Sequence, residues 1–440
     1  MSCGSFCGKN IRISRYTIVF GEKMSKLAIS KHICLKEFMT EEDEMLRDAT
    51  RGFVDGVIMP IRQQVDSDER EHRLIEQIMK QILADFGAQR MMFPEKYGGL
   101  GITSFQSLYW AGEELARGDS GMCVAALVTA WPIIPILYKP YIREDLLAEF
   151  AKIFCGKEHH FGSFAMTEPQ GGCDIENVET MKGRTIRTTA TLEGDEWVIN
   201  GEKQWPSNSR IASLYLTVCT TDPDLGEEGI ALIYVPARTK GLDFEDFDVK
   251  AGMAADRNCT IHFDNVRVPK RYRVAGPGDD AKLFRQQLVA GNIGSAGISI
   301  GPAQNTFEIV TKYASERVVA GKPIKEHSIN AGILADMAIA IETARTYALS
   351  VARMFDHPEI YGPRWSNEMV AKSRIAKVYA ADVGVRVTDE AQRLMGSNGY
   401  SRPYDVEKHW RDVKITQQWL GGSILGRLDI ARYYCKLKTI

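Results

Sequence analysis

Residues 164–174 read FAMTEPQGGCD, and at this stretch the character of the chain changes. Before it, from about Thr40 to Lys157, apolar residues recur at the spacing of amphipathic helices. After it, as far as about Val274, short runs of β-branched and aromatic residues alternate with turn residues, which is typical of strands. From about Ala281 the helical spacing returns. The sequence therefore predicts a helical part, a β-rich part and a second helical part.

These changes divide the chain into four segments, for which we expect a mostly helical α+β fold. The expected segments are a tail at 1–23, a helical domain at 24–160, a β-barrel or sheet domain at 161–275 and a four-helix bundle at 276–440. Asn200-Gly201 is a strong hairpin-turn signal, so Trp205 and Ser207 are predicted to lie on the strand that follows.

The composition is that of an ordinary globular protein and excludes several classes of function. Of 440 residues, 44% are hydrophobic and 25% are charged, and the formal net charge is −2 with both signs interspersed. The chain therefore lacks the basic patch of a nucleic-acid or membrane-surface binder. No apolar run approaches the roughly 20 residues that span a bilayer. Nine cysteines without metal-like or disulfide-like spacing favour a reducing compartment.

Residues 1–23 are basic and serine-containing, with no acidic residue before Glu22. This pattern is compatible with a transit peptide. An over-extended start is an equal alternative, because Met24 begins a more conventional N-terminus. The expected location is the bacterial cytoplasm, or the mitochondrial matrix if 1–23 are a transit segment. Cys3 and Cys7 form a CxxxC that we interpret as part of a frayed tail.

Two fragments have the properties of a ligand site. In the first, Thr167 offers a hydroxyl and backbone groups, and Gly171 and Gly172 let the backbone approach a ligand without a Cβ clash. In the second, residues 198–209 read VINGEKQWPSNS, and Trp205 stands among polar residues. This setting suits a half-buried site better than a dry core.

Both fragments resemble flavin motifs of the acyl-CoA dehydrogenase family, namely [VM]-TEP-x-x-GSD and INGxKxWITNG. Further stretches extend the resemblance. TKYASERVVAGK (311–322) resembles TKYALERKTFGK, LMGSNGY (394–400) resembles ILGGNGY, and RDVKITQQWLGGSILGR (411–427) resembles RDAKI-x-x-IYEGT-x-x-x-x-R. The resemblance covers about residues 40–437 and implies that family's fold, with FAD as the cofactor.

By position, the resemblance implies eight flavin contacts. They are Thr167, Cys173, Trp205, Ser207, Arg317, Arg393, Gly396 and Ser397. Thr167 would bind the flavin, Trp205 would pack beside the isoalloxazine, and the Ser207 hydroxyl would contact N5. Arg317 would reach the FAD pyrophosphate of a neighbouring subunit through a charge-assisted contact. This role implies a homo-oligomer, which in the family is commonly a tetramer.

The chain departs from the family at the catalytic base. Leu420 stands where most members carry the glutamate that removes the substrate's α-proton. Gly291 occupies the alternative base position, and Asn292 follows it where an arginine is frequent. Neither Leu420 nor Gly291 can accept a proton, and losing a general base typically costs about 10²–10⁴-fold in rate. The resemblance implies substrate contacts at Cys173, Asn292, Leu420 and Gly421. The nearest substitute bases by motif proximity are Cys123, Cys173, Tyr400 and Asp256.

Three hypotheses follow. The first is an FAD-dependent oxidoreductase acting on an acyl-CoA or carrier-bound thioester, with a displaced base or a substrate that supplies its own carbanion. Electron-transferring flavoprotein is the partner that the resemblance implies. The second is a flavin monooxygenase or oxidase on the same scaffold, such as a nitroalkane-oxidising enzyme. The third is a flavin-binding protein without catalytic activity.

Overall fold

The computed structural model describes residues 39–68, 70–178 and 185–437, together with the backbone of an antiparallel strand pair, β1 (Arg12–Ile13) and β2 (Tyr16–Thr17). Apart from that pair, the expectations for residues 1–23, including Cys3 and Cys7, lie outside the described residues.

The first part of the described chain is helical. Its helices are α1 (Glu41–Phe53), α2 (Arg62–Ser67), α3 (Arg73–Lys80), α4 (Phe105–Gly118), α5 (Ser120–Ala130) and α6 (Glu144–Phe154). A capping box begins α1, because the Thr40 hydroxyl accepts from the Asp43 N–H and the Asp43 carboxylate accepts from the Thr40 N–H. The α5 pattern continues to Leu137 in the sequence, but the helix ends at Ala130. Pro132 and Pro135 follow, and each removes a backbone donor.

A curled seven-stranded sheet follows. Its strands are β3 (Phe161–Ala165), β4 (Thr189–Glu193), β5 (Glu196–Lys203), β6 (Ala212–Thr220), β7 (Ile230–Pro236), β8 (Leu242–Phe244) and β9 (Ile261–Pro269). The strand order is β3-β6-β4-β5-β9-β8, and β7 pairs with β6. Strands β3 and β6 are parallel, whereas β4–β5, β5–β9 and β6–β7 are antiparallel. The short helix α7 (Cys173–Glu176) lies between β3 and β4.

The prediction of a hairpin turn at Asn200-Gly201 was wrong, since β5 runs straight through it. The β4–β5 turn lies at Gly194-Asp195 instead. Gly201 lies at a bulge, where the register of β5 against β9 shifts. A Cβ at residue 201 would lie 2.7 Å from the Thr188 Cα. Trp205 and Ser207 therefore lie in the loop after β5 rather than on a strand.

The remaining chain is again helical. Its elements are α8 (Asp279–Glu316), β10 (Val318–Val319), β11 (Lys322–Pro323), α9 (Ser328–Asp356), α10 (Pro358–Tyr361), α11 (Asn367–Met395), α12 (Val406–Lys414) and α13 (Gly422–Cys435). Helix α8 packs closely on α4, since a Cβ at Gly301 would lie 2.4 Å from the Glu113 carbonyl oxygen. The order of helices, sheet and helices confirms the predicted fold class.

Two apolar cores meet beside the functional site. One joins the first helices to the sheet, and the other joins α4, α8, α9 and α11. Trp131, just after α5, packs against both cores, and Leu420 belongs to the first. The junction of the two cores therefore brings residues of all three parts of the chain together.

Candidate active site

A cavity of about 750 Å³ opens where the sheet, α5, α8 and the segment before α13 meet. Nine of the candidate residues named from the sequence line it, namely Thr167, Gly172, Cys173, Trp205, Ser207, Asp256, Gly291, Leu420 and Gly421. The fold thus brings the two sequence fragments and the two positions where the sequence resemblance implies a base to one place.

Hydrogen bonds fix the loop that carries Thr167. The Gln204 N–H donates to the Thr167 carbonyl over 2.8 Å, which joins the two fragments. Glu168 is buried and accepts from the buried Lys203 ammonium at 2.8 Å. Burial alone would raise the pKa of Glu168, but the Lys203 charge holds it below its usual value. Glu168 is therefore a fixed part of the turn, which leaves the Thr167 hydroxyl free to face a ligand.

The loop after β5 presents an aromatic face. Trp205 has a positive φ of 66° and is 47% exposed, although it lines the cavity. The Asn258 amide donates to the Trp205 carbonyl at 3.0 Å, and the Ser163 hydroxyl donates to the Ser207 carbonyl at 2.7 Å. The half-exposed indole of Trp205, on a backbone held by these hydrogen bonds, can pack against a planar ligand.

Asp256 supplies an unpaired acceptor on the same side of the cavity. The residue is 6% exposed, and its Oδ1 has no hydrogen-bond partner among the described residues. Burial raises the pKa of Asp256, although Lys250, Ser207 and Asn258 each act to lower it. A buried acceptor without a partner is costly unless a ligand or water satisfies it.

Gly291 and Leu420, where the sequence resemblance implies a base, adjoin each other. A Cβ at Gly291 would lie 3.3 Å from Leu420 Cδ1 and 2.9 Å from Trp131 Cη2. The indole of Trp131 therefore fills the space that a side chain at residue 291 would need. Neither Gly291 nor Leu420 carries a group that can accept a proton.

Glu176 is a cavity residue that the sequence reasoning missed. Its carboxyl pairs with Arg374 at 3.3 Å, and both side chains are almost fully buried. Arg374 also donates to the carbonyl of Leu420, to Asn292 Oδ1 at 3.4 Å and to Asp429 Oδ2 at 3.0 Å. The pairing joins residues 198 positions apart, so no local signal in the sequence could have revealed it.

Two predicted base candidates, Cys123 and Tyr400, and one predicted substrate contact, Asn292, lie outside the cavity, whereas the candidate Cys173 lines it. Cys123 lies in the core with its Sγ 3.2 Å from the Gly112 carbonyl, and burial raises the pKa of its thiol. Tyr400 is 77% exposed, and neither residue lines the cavity. Burial also raises the pKa of the Cys173 thiol, which disfavours a reactive thiolate. Asn292 is buried behind the cavity wall, where its amide donates to Ser373 Oγ at 3.1 Å.

Four predicted flavin contacts form a second group away from the cavity. They are Arg317, Arg393, Gly396 and Ser397, all exposed at the ends of α8 and α11. The Asn398 amide donates to the Tyr313 hydroxyl at 3.0 Å and ties these two helix ends together. Arg393 pairs with Glu390 at 2.7 Å, whereas Arg317 forms no ion pair with any described residue.

The residues of the cavity fit a flavin. Thr167 and Ser207 supply hydroxyls, Trp205 supplies a half-exposed ring, and a Cβ at Gly172 would meet Thr167 Cγ2 at 3.4 Å. The unpaired Asp256 oxygen gives the ligand a further polar partner. Such a mixed lining, with a few placed polar groups, is typical of cofactor sites.

In the described parts of the chain, no helix is long and apolar enough to cross a bilayer.

The order of helices, curled sheet and helices around this cavity matches the three domains of one protein family. Family models for the N-terminal, middle and C-terminal domains of acyl-CoA dehydrogenases match residues 40–140, 163–266 and 281–434. The human mitochondrial short-chain specific acyl-CoA dehydrogenase is 30% identical over 393 residues, which are 89% of this chain and 90% of that protein.

The chain belongs to the acyl-CoA dehydrogenase family, whose members bind FAD and are oxidoreductases acting on the CH–CH group of donors. The structure of butyryl-CoA dehydrogenase from Megasphaera elsdenii superposes with a TM-score of 0.78 at 27% identity, covering 90% of this chain and 99% of that one. A structure of nitroalkane oxidase gives a TM-score of 0.81 at 22% identity, covering 90% and 95%, and shows likeness of fold alone.

Proposed function

We propose that the protein oxidises the acyl group of a CoA or carrier-bound thioester with FAD, and that its proton-transfer group is not residue 420. The observation that carries this proposal is the convergence of Thr167, Trp205 and Ser207 with Leu420 and Gly421 on one cavity. Fold alone would not support a function, but this site geometry does.

In this proposal Thr167 and Ser207 hold the flavin through their hydroxyls and Trp205 packs beside its ring. FAD supplies a hydride acceptor when it is bound. Arg317, Gly396 and Ser397 lie on another face, where they would contact the FAD of a neighbouring subunit. We therefore infer a homo-oligomer, with a tetramer as the family's usual form.

Charge at the edge of the cavity favours an anionic carrier. Lys250, Arg411 and Lys414 line it, and the first and second also line a smaller polar cavity of about 210 Å³ beside it. Arg411 pairs with Asp66 at 2.7 Å, which fixes its guanidinium in place. Basic groups at an opening attract phosphates such as those of CoA or a phosphopantetheine arm.

The opposite wall suits a short or compact acyl group. Val124, Leu127, Val128 and Trp131 form an apolar surface on the α5 side. Beyond Leu127 and Trp131 lies a separate apolar cavity of about 80 Å³. Trp131 lies between the two spaces and would stop a long acyl chain.

Anaerobic titration tests the proposal. The purified holoenzyme is mixed with butyryl-CoA, hexanoyl-CoA and cyclohexanecarbonyl-CoA while the visible absorbance of the oxidised flavin is recorded. Bleaching by at least one thioester is expected, followed by reoxidation with electron-transferring flavoprotein. Absence of bleaching with every thioester would contradict the proposal, as would protein that neither carries nor binds FAD.

The relatives include mitochondrial and bacterial enzymes, so the proposed location is the bacterial cytoplasm or the mitochondrial matrix.

A further inference from the structure

Two carboxylates line the cavity in the described part of the chain, Glu176 and Asp256. They lie against different groups. Asp256 lies against Ser207 and Asn258, on the side where the flavin edge is proposed to bind. Glu176 lies at the segment that carries Leu420 and Gly421. The two acids therefore face different parts of a bound thioester.

The pair of Arg374 and Glu176 lies at the peptide bond between Leu420 and Gly421. The Arg374 guanidinium donates to the carbonyl of Leu420, and the N–H of Gly421 acts to lower the pKa of the Glu176 carboxyl. Gly421 permits this close approach, since a Cβ there would lie 2.9 Å from Arg374 Nη1. The Glu176 carboxyl is thus linked through Arg374 to the backbone at the position where the resemblance places the relatives' base.

Arg374 also contacts the residue that follows Gly291, the second position where the resemblance implies a base. Its Nη1 lies 3.4 Å from the Oδ1 of Asn292, the residue after Gly291. Its Nε donates to Asp429 at 3.0 Å, so its charge is shared between two carboxylates. Burial raises the pKa of Glu176 and outweighs the opposing effects of Arg374 and the Gly421 N–H. A carboxylate whose anion is only partly stabilised is a better proton acceptor.

We propose that Glu176 accepts the α-proton of the acyl thioester, in place of the glutamate that relatives carry at the position of Leu420. This inference rests on the proposed function. The Cα–H bond breaks and its proton passes to a Glu176 carboxylate oxygen. The electron pair left on Cα forms the Cα=Cβ bond as the β-hydrogen leaves with its own electron pair to FAD. The thioester loses two electrons and two hydrogens, and FAD accepts the electrons. Arg374 acts as a positioning residue.

A purely structural role is the alternative reading, because a buried Glu–Arg pair can serve packing alone. Glu113 offers a matched control. It pairs with Arg345 at 2.7 Å, both side chains are at most 5% exposed, and Glu113 does not line the cavity. Glu113→Gln therefore makes the same chemical change in a similar buried pair outside the site.

The test is exchange of the substrate's α-hydrogen with solvent. Holoenzyme is incubated anaerobically in D₂O with whichever acyl-CoA of the panel bleaches the flavin, and α-deuterium is measured by mass spectrometry. Glu176→Gln is expected to slow exchange by about 10²–10⁴-fold, with FAD content and acyl-CoA binding retained. Glu113→Gln is expected to exchange at the wild-type rate. If Glu176→Gln does not fold, Glu176→Asp replaces it, with slowed exchange again expected.

A rescue variant separates catalysis from structure. Adding Leu420→Glu to the Glu176→Gln protein is expected to raise its rate of α-hydrogen exchange by at least tenfold. Wild-type exchange in Glu176→Gln would overturn the assignment, as would loss in Asp256→Asn alone or failure of the rescue. These outcomes leave flavin bleaching by the wild-type protein intact. Failure of the proposed function would instead remove bleaching from the wild type itself.

Discussion

The indole of Trp131 occupies the space that a side chain at residue 291 would need, because a Cβ at Gly291 would lie 2.9 Å from Trp131 Cη2. The glycine and the tryptophan thus form one packing arrangement. It leaves no room for a side chain at residue 291 and places an apolar surface beside Leu420.

Gly291→Ala tests this arrangement. In a solvent-exposed helix such a change would stabilise the protein by up to about 1 kcal/mol. Here we expect destabilisation by about 1–3 kcal/mol, because the new Cβ overpacks against the indole. Chemical unfolding measures the difference. Gly332→Ala on α9 is the control, since a Cβ there meets nothing within 4 Å. Equal effects at the two positions would argue against the clash.

Trp131→Leu is expected to shift the preferred acyl group toward longer chains. The smaller side chain would connect the main cavity with the apolar space of about 80 Å³ beyond it. The ratio of kcat/KM for hexanoyl-CoA to that for butyryl-CoA should rise by about tenfold, as expected for a gain of one or two buried methylenes. Trp197→Leu, in the sheet core, should lower stability and leave this ratio unchanged. An unchanged ratio in both variants would show that Trp131 does not limit the length of the acyl chain.

Lys377 gives a pH-dependent prediction. It is fully buried, its Nζ has no partner among the described residues, and burial lowers its pKa to about 8 from an ordinary value near 10.5. The unfolded chain therefore binds more protons than the folded one between these values, so this residue destabilises the fold below pH 8. The penalty is relieved as pH rises. Lys377→Met should raise the free energy of unfolding by about 3 kcal/mol at pH 7.

The gain from Lys377→Met should shrink toward zero as the pH approaches 10.5, when measured as the difference between variant and wild type in denaturant unfolding. Lys203→Met should have the opposite sign at pH 7. Lys203 is also fully buried but pairs with Glu168 at 2.8 Å, and its loss leaves a buried carboxylate unpaired. A pH-independent gain at residue 377 would show that its ammonium carries no penalty.

Mixed oligomers test the role proposed for Arg317. Arg317→Ala and Thr167→Ala should each lower FAD occupancy without changing thermal unfolding of the apoprotein by more than a few degrees. If Arg317 reaches the cofactor of a neighbouring subunit, coexpression of the two variants creates some sites with both wild-type residues. One of the two sites in each mixed pair then keeps both wild-type residues, so FAD content should recover to roughly half in isolated mixed pairs and to about a quarter in the whole coexpressed population. If FAD content does not recover, Thr167 and Arg317 contact the FAD from within one subunit.

The sequence allowed the fold class to be predicted, together with some of the residues that line the cavity, because these depend on local signals. Helical and strand periodicity gave the order of parts, and motif residues such as Thr167, Ser207 and Leu420 proved to share one cavity. Gly201 misled the turn prediction, since the same glycine freedom serves a turn or a bulge. Glu176 could not be found, because its importance comes from Arg374, which is distant in sequence and close only in the folded chain.

The most direct measurement is a structure of the FAD-loaded protein with a butyryl-CoA analogue that carries sulfur in place of the β-methylene and cannot be desaturated. We expect the thioester α-carbon within about 3–3.5 Å of a Glu176 carboxylate oxygen, with the flavin against Trp205. An α-carbon beside Asp256 and out of reach of Glu176, or a cavity that holds neither flavin nor thioester, would contradict the proposed chemistry.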